Sequence, residues 1–543
     1  MIIVDPVALG DAACTRPSPK WVFDRTGTLV EVPADTLAVT YDPADLSKAP
    51  YADIDSQAKT NFVRNNTMQG VVAGSPGTTP TYWGVEANGI NGIVRTVMPT
   101  GVEDGIEYLE IRYAGIATAG GTHQIGFESV VSTNAAPGET WAASVFVASV
   151  GDPVGLINPR MQISERTAAG GQTAAGEVQA PLTPKPLSKS RIIVRHTMAQ
   201  PDTARTSHKV IFSYAAGSVV DVTLRIGLPQ IELDDATSPI KTGSGTVTRA
   251  ADVISNTAGL VYSNVPMVEP PYSAATTYAK DVAVYDPVSK IVYWSMQASN
   301  LGKPLTDPAW WNKRTAINRW AMFDDRNSTV TSNPEEIIAV VSARAITQGM
   351  FAGALDASEV RVSMTHPTRG LVFSEVRNLI LPRSGSSFFG WCFNRLRMRT
   401  WFLTLKLPVF ANALVTIAIL KPGGVPKCGM CLQGPVVEFG RSMMGLGTEL
   451  KDYSSTTFYA DGTSDTIPRG FSKRMSVDVV VESDRVEELE DYLSGRRQKT
   501  LVYLASTVRG DTMLVGKFSS LRKVIDSHRN SKMSLQIEGV LNR

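Results

Sequence analysis

The sequence predicts a mainly β, multidomain protein, and three observations support this fold class. The chain has 543 residues, whereas a single domain usually has ~100–200. Charged residues make up 19% of the chain and hydrophobic residues 43%, a balance that favours strands and turns over long solvated helices. Many segments alternate side chains with period two between glycine-rich turns, which is typical of short antiparallel strands.

The first segment, 1–54, is predicted to be an N-terminal arm. Its strand-like pieces, such as WVFDRTGTLVEV (21–32), are interrupted by DRTG, and a loop follows at 42–50. The next segment, 55–255, is predicted to be a two-sheet β-sandwich or jelly roll, because strands of period two recur between turns such as APGE. The predicted strands are YLEIRYAGI (108–116), TWAASVFVASV (140–150), RIIVRHTM (191–198), HKVIFSYA (208–215) and VVDVTLRIGLPQIEL (219–233).

The second half of the chain is predicted to contain four further segments. A proline-rich linker, 256–274, precedes a small aromatic-rich β unit, 275–315, and then a second β-sandwich, 316–438. The last segment, 439–543, is predicted to be an α+β module. In it, MSVDVVVE precedes a helix with Ser483 as N-cap, Val486, Leu489 and Leu493 on one face, and Gly495 as its end.

Charge and hydropathy exclude several classes of function. The 53 basic and 51 acidic residues are nearly balanced, so no basic excess indicates nucleic-acid binding. The start, MIIVDPVALGD, lacks the positive region of a signal peptide. The most apolar run, LPVFANALVTIAIL (407–420), is shorter than the ~20 residues of a membrane helix and predicts a buried strand pair. We therefore expect assembly in a cytoplasm, without membrane insertion.

The residues suited to catalysis do not form a recognisable catalytic pattern. The five histidines are scattered, and we interpret His196 and His208 as satisfied structural residues within strands. Cys428 and Cys431 form a CxxC that could be a redox pair or half of a zinc site, although a β-hairpin with two incidental thiols is favoured.

The other two cysteines, Cys14 and Cys392, are isolated in the sequence. The adjacent acids Asp324–Asp325 and Asp234–Asp235 are poor acid/base pairs, because neighbours on one strand point to opposite faces. A solvated loop is favoured for them over calcium ligation. We predict no enzyme activity, no catalytic residues, no metal and no cofactor.

The aromatic-rich unit is the one segment whose sequence predicts a ligand-binding site. Nine aromatic residues lie between Tyr272 and Phe323, a span of 52 residues, which is about twice the average density of the chain. Exposed aromatic rings stack on the apolar CH faces of sugars, and so small a unit has difficulty burying all of its rings. The candidate carbohydrate-binding residues are Tyr278, Tyr293, Trp294, Trp310 and Trp311. The alternative is that these rings form a small core or a domain interface.

The aromatic string ATTYAKDVAVYDPVSKIVYWSMQASNLGKPLTDPAWW (275–311) resembles the small chitin-binding modules of bacterial chitinases and of many phage tail proteins. The family pattern has a Tyr before a short strand, an aromatic pair on the next strand, a turn with Gly and Pro, and a closing Trp. Tyr278, Tyr293 with Trp294, Gly302 with Pro304, and Trp310 with Trp311 occupy those places. The resemblance implies carbohydrate binding, although such modules also serve as spacers in tail proteins.

Two further resemblances to phage tail proteins are carried by four segments. CTRPSPKWVFDRTGTLVEVPADTLAVTYDPADL (14–46), DSQAKTNFVRNN (55–66) and LRIGLPQIELDDATSPIKTGSGTVTRAADV (224–253) resemble tail and appendage proteins with a lectin-like jelly roll. FGRSMMGLGTELKDYSSTTFYADGTSDTIPRGFSKRMSVDVVV (439–481) resembles the terminal segment of virion-associated proteins of tailed phages, which implies a virion-anchoring role.

These resemblances imply a structural protein of a bacteriophage tail, in the baseplate or a fibre, that contributes to attachment to host-surface glycan. The expected location is the virion, and the expected partners are other tail proteins, further copies of this chain and host surface polysaccharide. A purely architectural adaptor without glycan binding is the alternative, and a depolymerase is a weaker third hypothesis.

Overall fold

A computed structural model describes residues 1–381, 388–393, 397–506, 512–525 and 527–540. It confirms the predicted fold class, because strands dominate and one short helix lies in the C-terminal α+β part. The chain forms two compact units, Ala13–Ile254 and Met1–Ala12 together with Ser255–Arg543. The predicted arm, 1–54, is therefore divided between the units. None of the helices in the described ranges is long and apolar enough to cross a membrane.

The Ala13–Ile254 unit contains two six-stranded antiparallel sheets. In the first sheet the strand order is Val94–Val97, Ile106–Ile116, Val219–Leu233, Thr140–Ser149 and Arg191–Thr197, with Gly101–Glu103 beside Ile106–Ile116. In the second it is Gln172–Gln179, Ile157–Arg166, Arg205–Tyr214, Gly121–Gly126 and Gly84–Val85, with Thr133–Asn134 beside Arg205–Tyr214. Residues of both sheets bury one hydrophobic cluster that includes Ile111, Val145, Met161 and Phe212, as expected for a β-sandwich.

Short elements complete this unit. Four two-stranded ladders pair Cys14–Thr15 with Val253–Ile254, Lys20–Phe23 with Leu29–Val32, Val39–Thr40 with Tyr51–Ala52, and Lys59–Asn61 with Val247–Arg249. Ile90–Gly92 and Leu187–Lys189 are 3-10 turns. The segments that open and close the unit in sequence are thus paired with each other.

A cluster of six ionic side chains ties the start of this unit to its end, and we call it the ionic cluster. Its members are Arg16, Lys20, Asp53, Asp55, Arg249 and Asp252. Asp252 is fully buried and contacts Arg16 at 2.7 Å and Lys20 at 3.2 Å. Lys20 also reaches Asp55 at 2.9 Å, and Asp55 contacts Arg249 at 2.8 Å. Three cations and three carboxylates therefore compensate each other, and all but Asp53 are buried.

In the second unit, a six-stranded sheet has the order Gly10–Asp11, Gly259–Ser263, Glu336–Ser342, Leu414–Leu420, Glu359–His366 and Gly370–Asn378. A three-stranded sheet of Trp401–Thr404, Gly349–Gly353 and Met430–Gly434 contributes to the same hydrophobic cluster. Thr331–Ser332 pairs with Lys427–Cys428, and Ile380–Leu381 pairs with Arg397–Met398. Asn318–Phe323 is a 3-10 helix and Phe388–Phe393 an α-helix.

Two details here correct the sequence analysis. The apolar run 407–420 forms one buried strand, Leu414–Leu420, instead of a strand pair, because Leu407 and its neighbours lie outside regular structure. The predicted linker, 256–274, contains the strand Gly259–Ser263, which pairs with Glu336–Ser342.

The C-terminal module is an eight-stranded sheet covered by one helix. Its strand order is Val436–Glu438, Ile2–Val4, Leu501–Leu504, Met513–Ile525, Asn530–Gly539, Phe471–Glu482 and Arg441–Ser442, with Gly447–Asp452 also paired to Phe471–Glu482. Ser455–Phe458 and Ser464–Ile467 form a separate hairpin. The helix Val486–Ser494 buries Val486, Leu489 and Leu493, as predicted.

The predicted start of this helix needs correction, whereas its end before Gly495 is as predicted. Ser483 begins a 3-10 turn, Ser483–Arg485, instead of capping the helix. Its hydroxyl donates to the Ser527 carbonyl at 3.1 Å, and the helix begins at Val486 without a side-chain hydrogen bond at its N-cap residue, Arg485. Gly495 follows the last helical residue, but its φ of −70° is one that any residue adopts.

Candidate carbohydrate-binding surface

The aromatic unit is built on a three-stranded antiparallel sheet of Ala283–Tyr285, Ile291–Ser295 and Trp311–Ala316. Val284 lies opposite Tyr293 in this sheet, and Ala283 lies opposite Trp294. Since successive side chains of a strand point to opposite faces, the predicted pair Tyr293–Trp294 is divided between the two faces. The five candidate residues therefore do not form one continuous surface.

One face of the sheet carries a small aromatic core. Tyr278, Val284 and Trp311 are buried there, and the rings of Tyr278 and Trp311 meet edge to face with centroids 5.4 Å apart. The indole N–H of Trp311 donates to the Lys303 carbonyl at 3.0 Å. The hydroxyl of Tyr278 accepts a hydrogen bond from the Ser273 N–H at 2.7 Å. These two rings stabilise the unit and leave no free face for a ligand.

Tyr293 and Trp310 are intermediate in solvent exposure. Both are partly buried against the small aromatic core. The Lys303 ammonium lies 4.9 Å from the centroid of the Trp310 ring, a cation–π distance. Their remaining accessible surface is therefore limited.

Trp294 is the most exposed of the five candidates, with 41% of its surface accessible. The Arg314 guanidinium carbon lies 4.4 Å from the centroid of its ring. Trp294 lies opposite Asn312 in the ladder, so Asn312 and Arg314 share its face of the sheet. One face of the Trp294 ring thus lies under a guanidinium, and an amide shares the same face of the sheet. Both groups hydrogen-bond to hydroxyls.

Arg314 was missed in the sequence analysis, which considered aromatic residues alone. The alternation of the strand contains the necessary signal. In a strand that begins with Trp311 facing the core, residues 312 and 314 point to the opposite face. An arginine three positions after a buried tryptophan is therefore expected on the face of the sheet opposite that tryptophan.

The adjacent acids lie in turns. Asp324 accepts hydrogen bonds from the Arg326 N–H at 3.0 Å and from the Thr329 hydroxyl at 2.6 Å, which organises its loop. Burial raises the pKa of Asp324 above its ordinary value. Asp235 forms an exposed ion pair with Arg195 at 2.7 Å. These contacts account for the acids as elements of turns and surface.

His196 and His208, the two histidines predicted to be satisfied structural residues, differ in their hydrogen bonding. His196 contacts the buried carboxylate of Glu165 at 2.7 Å, in agreement with a satisfied structural residue. Neither ring nitrogen of His208 has a hydrogen-bond partner among the described protein groups, so this strand histidine is held by burial and ring contacts instead of by protein hydrogen bonds. Burial lowers the pKa of His208 to about 3, which keeps this ring neutral beside Phe127.

The two cysteines of the CxxC are free and buried. They do not form the predicted hairpin, because Cys428 pairs with Thr331 whereas Cys431 pairs with Ala352 in a different ladder. Burial raises the pKa of Cys428 to about 12, so its reactive thiolate is disfavoured. Within the described ranges, no group of three or more His, Cys, Asp or Glu side chains is arranged to hold a metal ion.

Comparisons with known proteins give little information on this chain. No family model matches it, and no curated protein matches it. Among solved structures, the arabinose-bound α-L-arabinofuranosidase MgGH51 aligns at 14% identity over 43% of this chain and 32% of that chain, with a TM-score of 0.23. The tandem CBM22 domain of Paenibacillus barcinonensis Xyn10C aligns at 9% identity over 68% of this chain and 97% of that chain, with a TM-score of 0.18. Such low scores do not bear on ligand or activity.

Proposed function

We propose that this chain is a non-enzymatic structural protein of a bacteriophage tail that contributes to attachment to host-surface glycan. The observation that carries the glycan part is the exposed Trp294 ring beside Arg314. The assignment to a tail rests on the sequence resemblances of 14–46, 55–66, 224–253 and 439–481. The buried Tyr278 and Trp311 take a supporting role in this proposal, because they hold the sheet that presents Trp294.

The chemistry of the Trp294 surface suits a saccharide. The accessible part of the ring offers an apolar area for the CH face of a sugar. Arg314, whose guanidinium lies over one face of the ring, and Asn312 offer N–H donors to sugar hydroxyls. One ring and two polar groups provide weak affinity per copy, and several copies in one assembly raise the apparent affinity by avidity without further contacts.

The test is binding of the full-length protein to insoluble chitin and to an array of bacterial surface polysaccharides. The Trp294→Ala variant is expected to lose at least tenfold in affinity for any saccharide bound, with an unchanged circular dichroism spectrum. Tyr82→Ala is a matched control, since Tyr82 is 38% exposed and lies under Arg64 at 3.9 Å in the other unit. Equal losses in both variants, or none in Trp294→Ala, would overturn the assignment.

A purely architectural role is the second candidate, and one observation favours it. The C-terminal hairpin of Ser455–Phe458 and Ser464–Ile467 exposes Phe458 and Ile467, as expected where a protein partner covers an apolar surface. Absence of binding across the polysaccharide array, together with stable association with other tail proteins, would favour this role. Release of reducing sugar from a bound polysaccharide would contradict the non-enzymatic part of the proposal.

A further inference from the structure

The strand Gly447–Asp452 is an edge strand of the C-terminal sheet. It pairs with Phe471–Glu482 on one side, and no strand of the described ranges pairs with its other side. Leu450, in the middle of the strand, has 68% of its surface exposed. A regular edge strand with an exposed apolar residue readily pairs with another chain, because its free N–H and C=O groups form a template.

The charges of this strand are complementary to themselves in one antiparallel register. If Leu450 lies opposite Leu450 of a second copy, Glu449 lies opposite Lys451 of that copy, and Lys451 lies opposite its Glu449. Directly opposite unlike charges stabilise a ladder, whereas like charges destabilise it. The two-fold arrangement thus gives two ion pairs and one leucine contact.

Neighbouring registers lack this complementarity. A two-fold axis at Glu449 or at Lys451 places like charges opposite each other. A shift of the second copy by one residue in one direction places Glu449 opposite Asp452, so two negative charges face each other. A shift in the other direction places Glu449 opposite Leu450 and Lys451 opposite Thr448, so neither charge has a charged partner. Electrostatics therefore selects the register centred on Leu450.

The adjoining hairpin supplies the apolar surface that a six-residue strand lacks for a stable interface. It follows the edge strand directly in sequence, and it exposes Phe458 at 78% and Ile467 at 54%. A separate two-stranded hairpin is only marginally stable in water. A second protein surface that pairs with the edge strand would also cover the exposed apolar residues of this hairpin.

We propose that two copies of this chain associate through antiparallel pairing of their Gly447–Asp452 strands, with the two-fold axis at Leu450. Within its own chain Glu449 lies opposite Arg474, but Arg474 contacts the carboxylate of Glu538 at 3.1 Å. Arg474 is therefore engaged by Glu538, which leaves the Glu449 side chain for the second copy. The inference is independent of glycan binding, although pairing of copies would provide the avidity that weak sites need.

The experiment is sedimentation velocity of the full-length protein over a range of concentrations, with circular dichroism to verify folding. Glu449→Lys and Lys451→Glu are each expected to weaken self-association at least tenfold, because each converts two attractive pairs into two repulsive pairs. An equimolar mixture of the two variants is expected to associate like wild type, since both cross-pairs are then attractive. The double reversal E449K/K451E is expected to restore association of a single species.

Glu487→Lys, on the exposed side of the helix, is the matched control and is expected to change nothing. Lys451→Glu serves as the second test if Glu449→Lys is perturbed by its proximity to Arg474. Wild type that stays monomeric at tens of micromolar would overturn the proposal. Single reversals without effect, or a mixture that fails to restore association, would overturn it as well and would direct the search to a different tail protein as the partner of this edge.

Discussion

The ionic cluster gives the sharpest prediction for stability, and Asp252→Asn is the perturbation that tests it. Asp252 is fully buried, and its carboxylate contacts Arg16 and Lys20. It also accepts a hydrogen bond from the Asp55 N–H at 2.8 Å. Asparagine preserves the size of the side chain but removes its charge. The variant therefore leaves three buried cations with two carboxylates.

The expected magnitude follows from this imbalance. Removal of one partner from a buried ion pair costs about 3–5 kcal/mol, because the remaining charge stays desolvated. Part of the cluster persists in the variant, since Lys20 still contacts Asp55 at 2.9 Å. We therefore expect a loss of about 3 kcal/mol in the unfolding free energy of the Ala13–Ile254 unit, at the lower end of that range.

Hydrogen exchange measured by mass spectrometry is the suitable assay, because it reports on each unit separately. A loss of about 3 kcal/mol corresponds to a more than ~100-fold increase in the exchange rate of the slowest amides. The increase is expected in peptides of Ala13–Ile254, while peptides of 255–543 serve as an internal control. Asp235→Asn is the matched substitution, and an exposed pair such as Asp235–Arg195 contributes little. Similar exchange in the two variants would refute the reasoning.

Acid pH should weaken the same cluster. Burial acts to raise the pKa of Asp53, but Lys20 and Arg249 hold it below its ordinary value of 3.8. A carboxylate with a lowered folded-state pKa stabilises the fold above its unfolded pKa and loses this contribution as the pH falls below it. Protection of the Ala13–Ile254 unit should accordingly decline below about pH 4. Unchanged protection down to pH 2 would contradict this origin of stability.

Three further predictions concern the same unit. Burial lowers the pKa of His208 from 6.5 to about 3, so wild type should lose stability as the pH falls between these values. His208→Leu should abolish this loss. Thermal melts of both proteins at pH 7 and pH 5 measure the difference, and the same pH dependence in both would contradict the prediction. Burial acts to raise the pKa of Glu165, but donors such as the Thr203 hydroxyl lower it to about 2. Glu165→Gln should therefore flatten the stability profile between pH 4.5 and 2, and a profile as steep as that of wild type would count against the role of the carboxylate. Gly105→Ala should cost more than ~1 kcal/mol in urea denaturation, since Gly105 has φ +78° and an added Cβ would lie 2.2 Å from the Leu29 carbonyl oxygen; a neutral result would exclude this clash.

Local alternation predicted five strands of the sandwich, all of which form, but not others such as Ile157–Arg166. The segment 219–233 forms the strand Val219–Leu233, and 140–150 corresponds to Thr140–Ser149. In both cases the strand period is a property of neighbouring residues, which a sequence displays directly. The helix Val486–Ser494 was recognisable for the same reason, through the spacing of its buried residues.

Long-range pairing could not be derived from the sequence pattern. Lys20 and Asp252 are 232 positions apart, and the residues around each of them do not indicate that these charged side chains are buried. The strand Ile2–Val4 lies between Val436–Glu438 and Leu501–Leu504, although no pattern in its three residues specifies these neighbours. The start of the C-terminal helix was also mispredicted, because Ser483–Arg485 forms a 3-10 turn ahead of Val486.

The candidate site was likewise predicted only in part from the sequence. Aromatic density located the unit, but composition alone could not distinguish Tyr278 and Trp311, which are buried, from Trp294, which is exposed. Strand register makes this distinction, because it places Trp294 and Arg314 on the face opposite the aromatic core. Of the five rings predicted to bind carbohydrate, only Trp294, with Asn312 and Arg314 as polar neighbours, therefore stays a candidate contact residue.

The most direct test of the central claim is binding of the fluorescently labelled full-length protein to bacterial cells and to their extracted surface polysaccharide. Wild type, Trp294→Ala and Tyr82→Ala should be compared on the same preparations, with folding verified by circular dichroism. The account predicts saturable binding that is lost in Trp294→Ala and retained in Tyr82→Ala. Saturable binding that persists in Trp294→Ala, or no binding by any of the three proteins, would contradict it.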